Sequence, residues 1–238
     1  MSTYGTEPLE ILILGAGIAG LTTALSLTKF SSPDHPPPRI TIFEIRPQPA
    51  TIGGAVNLTP NALRLLSHLG ALEEIRHRRY GAECLAVEVF DLYSNVKIAE
   101  SSFRGLKGEG LGDPAFTALR ITRGEALQGV LVAVEKCGNV RIECGKKTAS
   151  IVEAESGVVL KFDDGTEAQG DILIGCDGIH SAARLKHVEP ERKSRYLVPS
   201  TYHQPSPKVV LLTCSTEVYQ SHDSVDRRHV NLLRMRQC

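Results

Sequence analysis

Tryptophan is absent from this chain of 238 residues, and aromatic side chains make up only 5% of it. Neither sign of charge predominates: 27 lysines and arginines stand against 27 aspartates and glutamates. A balanced chain has no global attraction for nucleic acid or an anionic membrane, although a local basic patch stays open. The six cysteines (Cys84, Cys137, Cys144, Cys176, Cys214 and Cys238) form no CxxC pair and no His/Cys metal spacing. They read as reduced thiols of an intracellular, cytoplasmic protein, with no metal site expected. No secretory signal is evident, since MSTYGTEPLE lacks a positively charged start and Glu10 interrupts the early apolar run. A long hydrophobic run is missing too. A membrane span needs roughly 20 apolar residues, and Leu9 to Leu27 is broken by Gly15, Gly17, Gly20 and the Thr22-Thr23 pair. The last absence is local: no glycine falls between Glu189 and Cys238, although the chain contains 21. Average usage of roughly 7% would place about three or four there.

What is present begins at Ile11. ILIL (Ile11 to Leu14) is a short, continuously apolar run of the kind a strand buried on both faces shows. GAGIAG (Gly15 to Gly20) follows at once, and Ile18, Leu21, Ala24, Leu25 and Leu27 then recur at helical spacing. The order is strand, glycine turn, helix. Gly15 suits the tight turn, Gly17 lets a pyrophosphate approach the backbone, and Gly20 lets helix and strand pack closely. The helix start, with Ala16, Ile18 and Ala19 between the glycines, offers free N–H groups and a positive dipole end to phosphates. A second strand, RITIFE (Arg39 to Glu44), ends in an acid able to accept hydrogen bonds from a ribose. The interval before it is lengthened by SSPDHPPP (Ser31 to Pro38), which reads as a stiff surface loop. The four elements together favour the ribose role for Glu44 over an ordinary solvated strand end. Arg46 hints at a ribose phosphate, so the motif leaves the dinucleotide undecided.

Further along, Thr59 and Pro60 mark a helix start. Ala62, Leu65, Leu66 and Leu69 form an apolar stripe, and Gly70 stops the helix. Gly53 and Gly54 precede it, either as a close backbone approach to a flat ring or as a plain turn. CLAVEVFDLYSNVKIAES reads as strand, turn and strand, and the segment Phe103 to Pro114 as a glycine-rich loop. TALRITRGEAL reads as a strand, a Thr122 cap and a helix, with Arg123 at an end that disfavours a cation unless an anion lies near. A plain surface arginine is the other reading. Short strands follow, with turns near residues 155–157 and at Asp163-Asp164-Gly165. DILIG (Asp171 to Gly175) is a second buried strand leading into CDGIHSAAR, where Ser181 can cap a helix. His180 stands alone and receives no role, and Asp177-Gly178 could be simply a turn.

Three signatures now stand in order: GAGIAG with its acidic strand, TRGEAL, and GDILIGCDGIHSAAR. Together they resemble the FAD-dependent aromatic hydroxylases, the single-component flavoprotein monooxygenases of the salicylate and p-hydroxybenzoate hydroxylase type. GGAVNLTPNALRLLSHLG resembles the same family, its fungal salicylate-hydroxylase-type members above all. The likeness covers roughly Leu9 to Val188. It implies an FAD cofactor, with Gly15, Ala16, Gly17, Ile18, Ala19 and Gly20 at the pyrophosphate and Glu44 at the adenosine ribose, Arg46 beside it. It further implies Gly54 and Ala55 near the flavin, Arg123 in contact with FAD, and Asp177 and Gly178 in a segment serving both FAD and NADPH. In that chemistry NADPH or NADH reduces the flavin, and one oxygen atom of O2 goes to an electron-rich ring of a small aromatic substrate. No catalytic residue and no oligomeric state is assigned.

The expected fold is α/β: a Rossmann-like FAD-binding domain over residues 1–188, its parallel sheet interrupted by an inserted antiparallel segment at about 81–120. The family's later GD segment, larger substrate-binding sheet and C-terminal helices are not found. Residues 189–238 read as an atypical, poorly ordered tail, expected to arise from an altered reading frame or a retained intron. On that expectation the alternative to a working monooxygenase is a truncated FAD- or nucleotide-binding remnant, with weak FAD binding and uncoupled NADPH oxidation. An NAD(P)-dependent dehydrogenase fits the opening motif, but the Asp177-Gly178 segment argues against it.

Overall fold

The computed structural model describes residues 7–91, 93–155, 157–188 and 190–191, together with the backbone of Val209–Cys214 and Val230–Arg236. In chain order the elements are β1 (Glu10–Leu14), α1 (Ile18–Lys29), β2 (Arg39–Glu44), β3 (Ala55–Leu58), α2 (Pro60–His68), α3 (Ala71–His77), β4 (Ala82–Cys84), β5 (Ala86–Phe90), β6 (Lys97–Ser102) and β7 (Ala118–Thr122). There follow α4 (Arg123–Glu135), β8 (Val140–Cys144), β9 (Thr148–Ala154), β10 (Gly157–Phe162), β11 (Glu167–Gly170), β12 (Ile172–Gly175), a π-helical turn (Arg184–Val188), β13 (Val209–Cys214) and β14 (Val230–Arg236). They fall into two compact units. Among the described residues the first takes in 7–54, 66–80 and 122–191.

The first unit is built on a parallel sheet of order β12-β1-β2-β8, in which Leu12 lies opposite Thr41 on one side and Leu173 on the other. β1 is buried on both faces, which its unbroken apolar run requires. Alternation along the strands divides the labour. Leu12, Leu14 and Phe43 pack with Ile151, Val158, Leu160 and Phe162 of the antiparallel sheet β11-β10-β9. Ile13 points the other way, its side chain close to Gly20 of α1. Removing a side chain such as Ile13 or Ile42 from water contributes about 1.5–3 kcal/mol. On the helical side Gly129 lets α4 approach α3, for a Cβ there would lie 2.3 Å from Ile75. Thr122 starts α4 with a reciprocal cap, accepting from the Glu125 N–H while Glu125 accepts from the Thr122 N–H.

The second unit holds the sheets β3-β7-β4 and β13-β14-β5-β6. The segment 81–120 supplies β4, β5, β6 and most of β7, paired antiparallel. Cys84 and Ala118 pack with Val87, Val89 and Phe103. The late apolar run VVLLT forms β13, parallel to β14, which itself runs antiparallel to β5. Beyond these two strands and residues 190–191, the expectation of a poorly ordered tail falls outside the described residues.

One local expectation is corrected. The buried residues of α2 and its end are Pro60, Leu63, Leu66 and Leu69, whereas Leu65 is half exposed. Within the helix the burial recurs every third residue from Pro60, and Leu65 is turned about 200° from Leu63 and about 100° from Leu66. Among the described residues no helix is long and apolar enough to cross a membrane.

Candidate functional site

The carboxyl ends of β1, β2, β8 and β12 converge on a cleft of about 590 Å³, wholly within the first unit. Each strand delivers a segment to it because the parallel register keeps the ends level. β1 delivers the glycine turn. Gly15 has φ +99°, and its N–H donates to the Phe43 carbonyl at 2.7 Å. A Cβ on Gly15 would lie 2.6 Å from the Cys176 carbonyl oxygen, and one on Gly20 would lie 1.9 Å from the Gly15 carbonyl oxygen. These two glycines are therefore demanded by packing. Gly17 is different. Its φ of −77° suits any residue, and a Cβ there meets no protein atom within 4 Å. It opens into the cleft at the start of α1, beside Ile18.

β2 delivers Glu44, which is 6% exposed. Its two carboxylate oxygens accept from separate backbone donors, the Ala16 N–H at 2.9 Å and the Arg46 N–H at 3.0 Å. The acid thus ties the glycine turn to the end of its own strand. Each oxygen keeps a further lone pair for a hydroxyl donor. The Arg46 guanidinium turns back to the Ala50 carbonyl at 2.6 Å.

β8 delivers a feature that sequence reasoning missed, the pair Lys146 and Lys147. The Lys146 N–H donates to the Glu44 carbonyl and the Gly145 N–H to the Arg46 carbonyl, both at 2.8 Å. The Lys146 ammonium reaches Asp164 and Thr166, each at 2.8 Å, and lies 5.4 Å from the centre of the Phe162 ring. Hydrogen bonds from Lys146 and Thr166 hold the Asp164 carboxyl well below the usual carboxylate range. Lys147 pairs with Asp163 at 2.6 Å. The signal was available: a strand parallel to β2 must end beside Glu44. Burial, with a smaller contribution from the Glu44 charge, pushes the Cys144 thiol up.

β12 delivers Cys176, Asp177 and Gly178. The Cys176 N–H donates to the Leu14 carbonyl at 2.8 Å, which fixes this segment against the glycine turn. Asp177 Oδ2 accepts from the Ala182 and Ala183 N–H groups, whereas Asp177 Oδ1 is buried and has no hydrogen-bond partner. Ser181 caps the following turn through the Arg184 N–H at 3.0 Å. His180 and Lys186 also line the cleft.

The structure therefore gathers Gly15, Gly17, Ile18, Glu44, Arg46, Asp177 and Gly178 around one cavity, with Ala16 bonded to Glu44 behind it. Ala19 is exposed on the first turn of α1, and Gly20 is buried under it. Gly54 and Arg123 are not among the lining residues. They meet each other instead: the Arg123 N–H donates to the Gly54 carbonyl at 3.2 Å, and the Arg123 side chain lies over Gly53, with Nη1 3.5 Å from the Ile52 carbonyl. Ala55 opens β3 in the second unit.

No family model matches the chain. Individual proteins do. It is 30% identical over 176 residues to a 3-amino-4-hydroxybenzoate 2-monooxygenase of Streptomyces cremeus, covering 74% of this chain and 41% of that protein. It is 27% identical to an FAD-dependent urate hydroxylase of Klebsiella pneumoniae, covering 74% and 42%. A Klebsiella pneumoniae HpxO variant solved in complex with FAD superposes with a TM-score of 0.56 at 23% identity, covering 74% of this chain and 42% of that one. The chain spans less than half the length of these relatives. Over about three quarters of its own length, this chain belongs with the FAD-dependent monooxygenases.

Proposed function

We propose that the cleft binds FAD and that the chain carries the FAD-binding part of a monooxygenase acting on a phenolic or related small aromatic molecule, with NADPH or NADH as reductant. The observation that carries this reading is Gly17, whose missing side chain leaves open space at a helix start within the cleft. A diphosphate fits there, held by the N–H groups of the first turn of α1 and favoured by its dipole. Gly15 and Gly20 keep that turn tight, while Ala16, Ile18 and Ala19 supply its backbone. Glu44 accepts the hydroxyls of the adenosine ribose with the lone pairs its backbone donors leave, and Arg46 flanks it. The partnerless Asp177 Oδ1 fits a hydroxyl donor on the ligand's other side, with Gly178 next to it. The family resemblance assigns Gly54 and Ala55 to the flavin. Arg123, at the start of α4, makes sense where an anion offsets the helix dipole that otherwise opposes it.

When bound, FAD supplies the redox and oxygen-transfer chemistry, and the protein contributes binding, orientation and exclusion of water. The names of the relatives, hydroxylases of an aminohydroxybenzoate and of urate, support a small, electron-rich ring as substrate. The test is to load the purified chain with FAD, add NADPH or NADH without oxygen, and follow the flavin absorbance. Bleaching by one of the two, followed by hydroxylated product from a panel of phenols in air, is expected. A loaded chain that neither nucleotide bleaches would overturn the monooxygenase reading while leaving FAD binding intact.

A further inference from the structure

One side chain of the cleft's lining ties the segment after β12 to β9. Lys186 sits in the π-helical turn that follows the Asp177-Gly178 segment, and its ammonium donates to the Thr148 carbonyl at 2.5 Å and the Ala149 carbonyl at 2.9 Å on β9. Single turns of π-helix are uncommon and tend to accompany functional sites. The other two lysines of the cleft are each bound to a carboxylate, Lys146 to Asp164 and Lys147 to Asp163. Among the described residues no carboxylate pairs with Lys186. Neutral carbonyls hold an ammonium less firmly than a carboxylate does, so this crossing is the one that can open.

Its position relative to a nucleotide follows from the backbone. The Lys146 N–H is bonded to the Glu44 carbonyl, and Thr148 follows two residues later at the start of β9. Glu44, Lys147, Thr148 and Lys186 all line this one cleft, so a nucleotide whose ribose seats on Glu44 shares it with the Lys186 side chain. The neighbouring His187 adds a second, weaker tie to the same strand, its Nε2 lying 3.5 Å from Glu153.

We propose that Lys186 is a latch over the adenosine end of the cleft, held on the Thr148 and Ala149 carbonyls and displaced when an adenine nucleotide enters. The proposal rests on the reading of the cleft as an FAD site. A latch closed about nine-tenths of the time lowers apparent affinity about tenfold, because only the open fraction binds. The cost falls on ligands that carry adenosine and spares those that do not.

The experiment titrates FAD, ADP and FMN into the purified chain and into Lys186→Met and Lys186→Arg, with thermal melts to establish that each variant is folded. Lys186→Met is expected to bind FAD and ADP about tenfold tighter than the parent, with FMN unchanged. Lys186→Arg, which keeps a cation able to reach both carbonyls, is expected to resemble the parent. Unchanged or weaker binding of FAD and ADP by a folded Lys186→Met would overturn the latch and leave the site reading standing. Equal changes for all three ligands would reduce Lys186 to a structural brace and overturn it as well. A parent chain that binds neither FAD nor ADP would overturn the site reading, and the latch with it.

Discussion

Replacing Gly17 by valine separates a glycine kept for a ligand from a glycine kept for the fold. At Gly17 the backbone is extended, with φ −77° and ψ 179°, and an added Cβ meets no protein atom within 4 Å. Folding has one small reason to resist the substitution: Gly17 is the N-cap of α1, where valine is poorer than glycine by about 0.5–1 kcal/mol. Removing glycine's freedom from the unfolded chain offsets that cost by about 0.4–1 kcal/mol for a compatible site. Binding does have a reason. A branched side chain would stand where the diphosphate approaches the first-turn N–H groups. A hydrogen bond to a charged group contributes about 1.5–3 kcal/mol, so losing two costs about 3–6 kcal/mol. That corresponds to a loss of roughly a hundredfold to ten-thousandfold in affinity. Gly20→Ala is the opposite control. Its Cβ would sit 1.9 Å from the Gly15 carbonyl oxygen, so it should destabilise the fold itself. The assay pairs FAD titration by flavin fluorescence with a thermal melt followed by circular dichroism. Gly17→Val should melt with the parent and fail to hold FAD, while Gly20→Ala should melt earlier. A folded Gly17→Val variant whose FAD affinity lies within threefold of the parent's would refute the reasoning.

Three further outcomes are expected. Glu44→Ala strands the Ala16 and Arg46 N–H groups, so it should lower stability by about 1–3 kcal/mol and also weaken FAD binding, read by denaturant unfolding and by titration. Thr122→Ala removes the reciprocal cap of α4 and should cost about 1 kcal/mol, seen as a lower urea midpoint at unchanged slope. Asp164 is held below its ordinary value, so its contribution is complete above the usual carboxylate range and fades as pH falls below about 4. The gap in melting temperature between the parent and Asp164→Asn should accordingly be constant from neutral pH down to that point and close below it. A gap that widens on acidification would contradict the assignment.

Much of the first unit was legible because its signals are local. The run at Ile11–Leu14 is apolar throughout, as a strand buried on both faces must be, and RITIFE ends on its acid where the strand ends. Thr122 and Glu125 announce α4 by a pairing that needs only three residues of context. What escaped depends on pairing between distant segments. Lys146 and Lys147 carry no signal of their own until β8 is known to lie beside β2. Lys186 gains meaning only when its turn is seen to face β9. Leu65 misled because α2 offers leucines on more than one face, and the packing chose Leu63 and Leu66. Gly54 and Arg123 were read as separate candidates, and their mutual contact joins the loop before β3 to the start of α4, 69 residues further along the chain.

The most direct measurement is a calorimetric titration of FAD into the purified, flavin-free chain, with free riboflavin as the ligand that lacks the diphosphate. Saturable uptake of one FAD per chain, with no comparable heat from riboflavin, is the predicted result. A folded chain that takes up no FAD, or holds riboflavin equally well, would contradict the claim that a dinucleotide docks on the glycine turn.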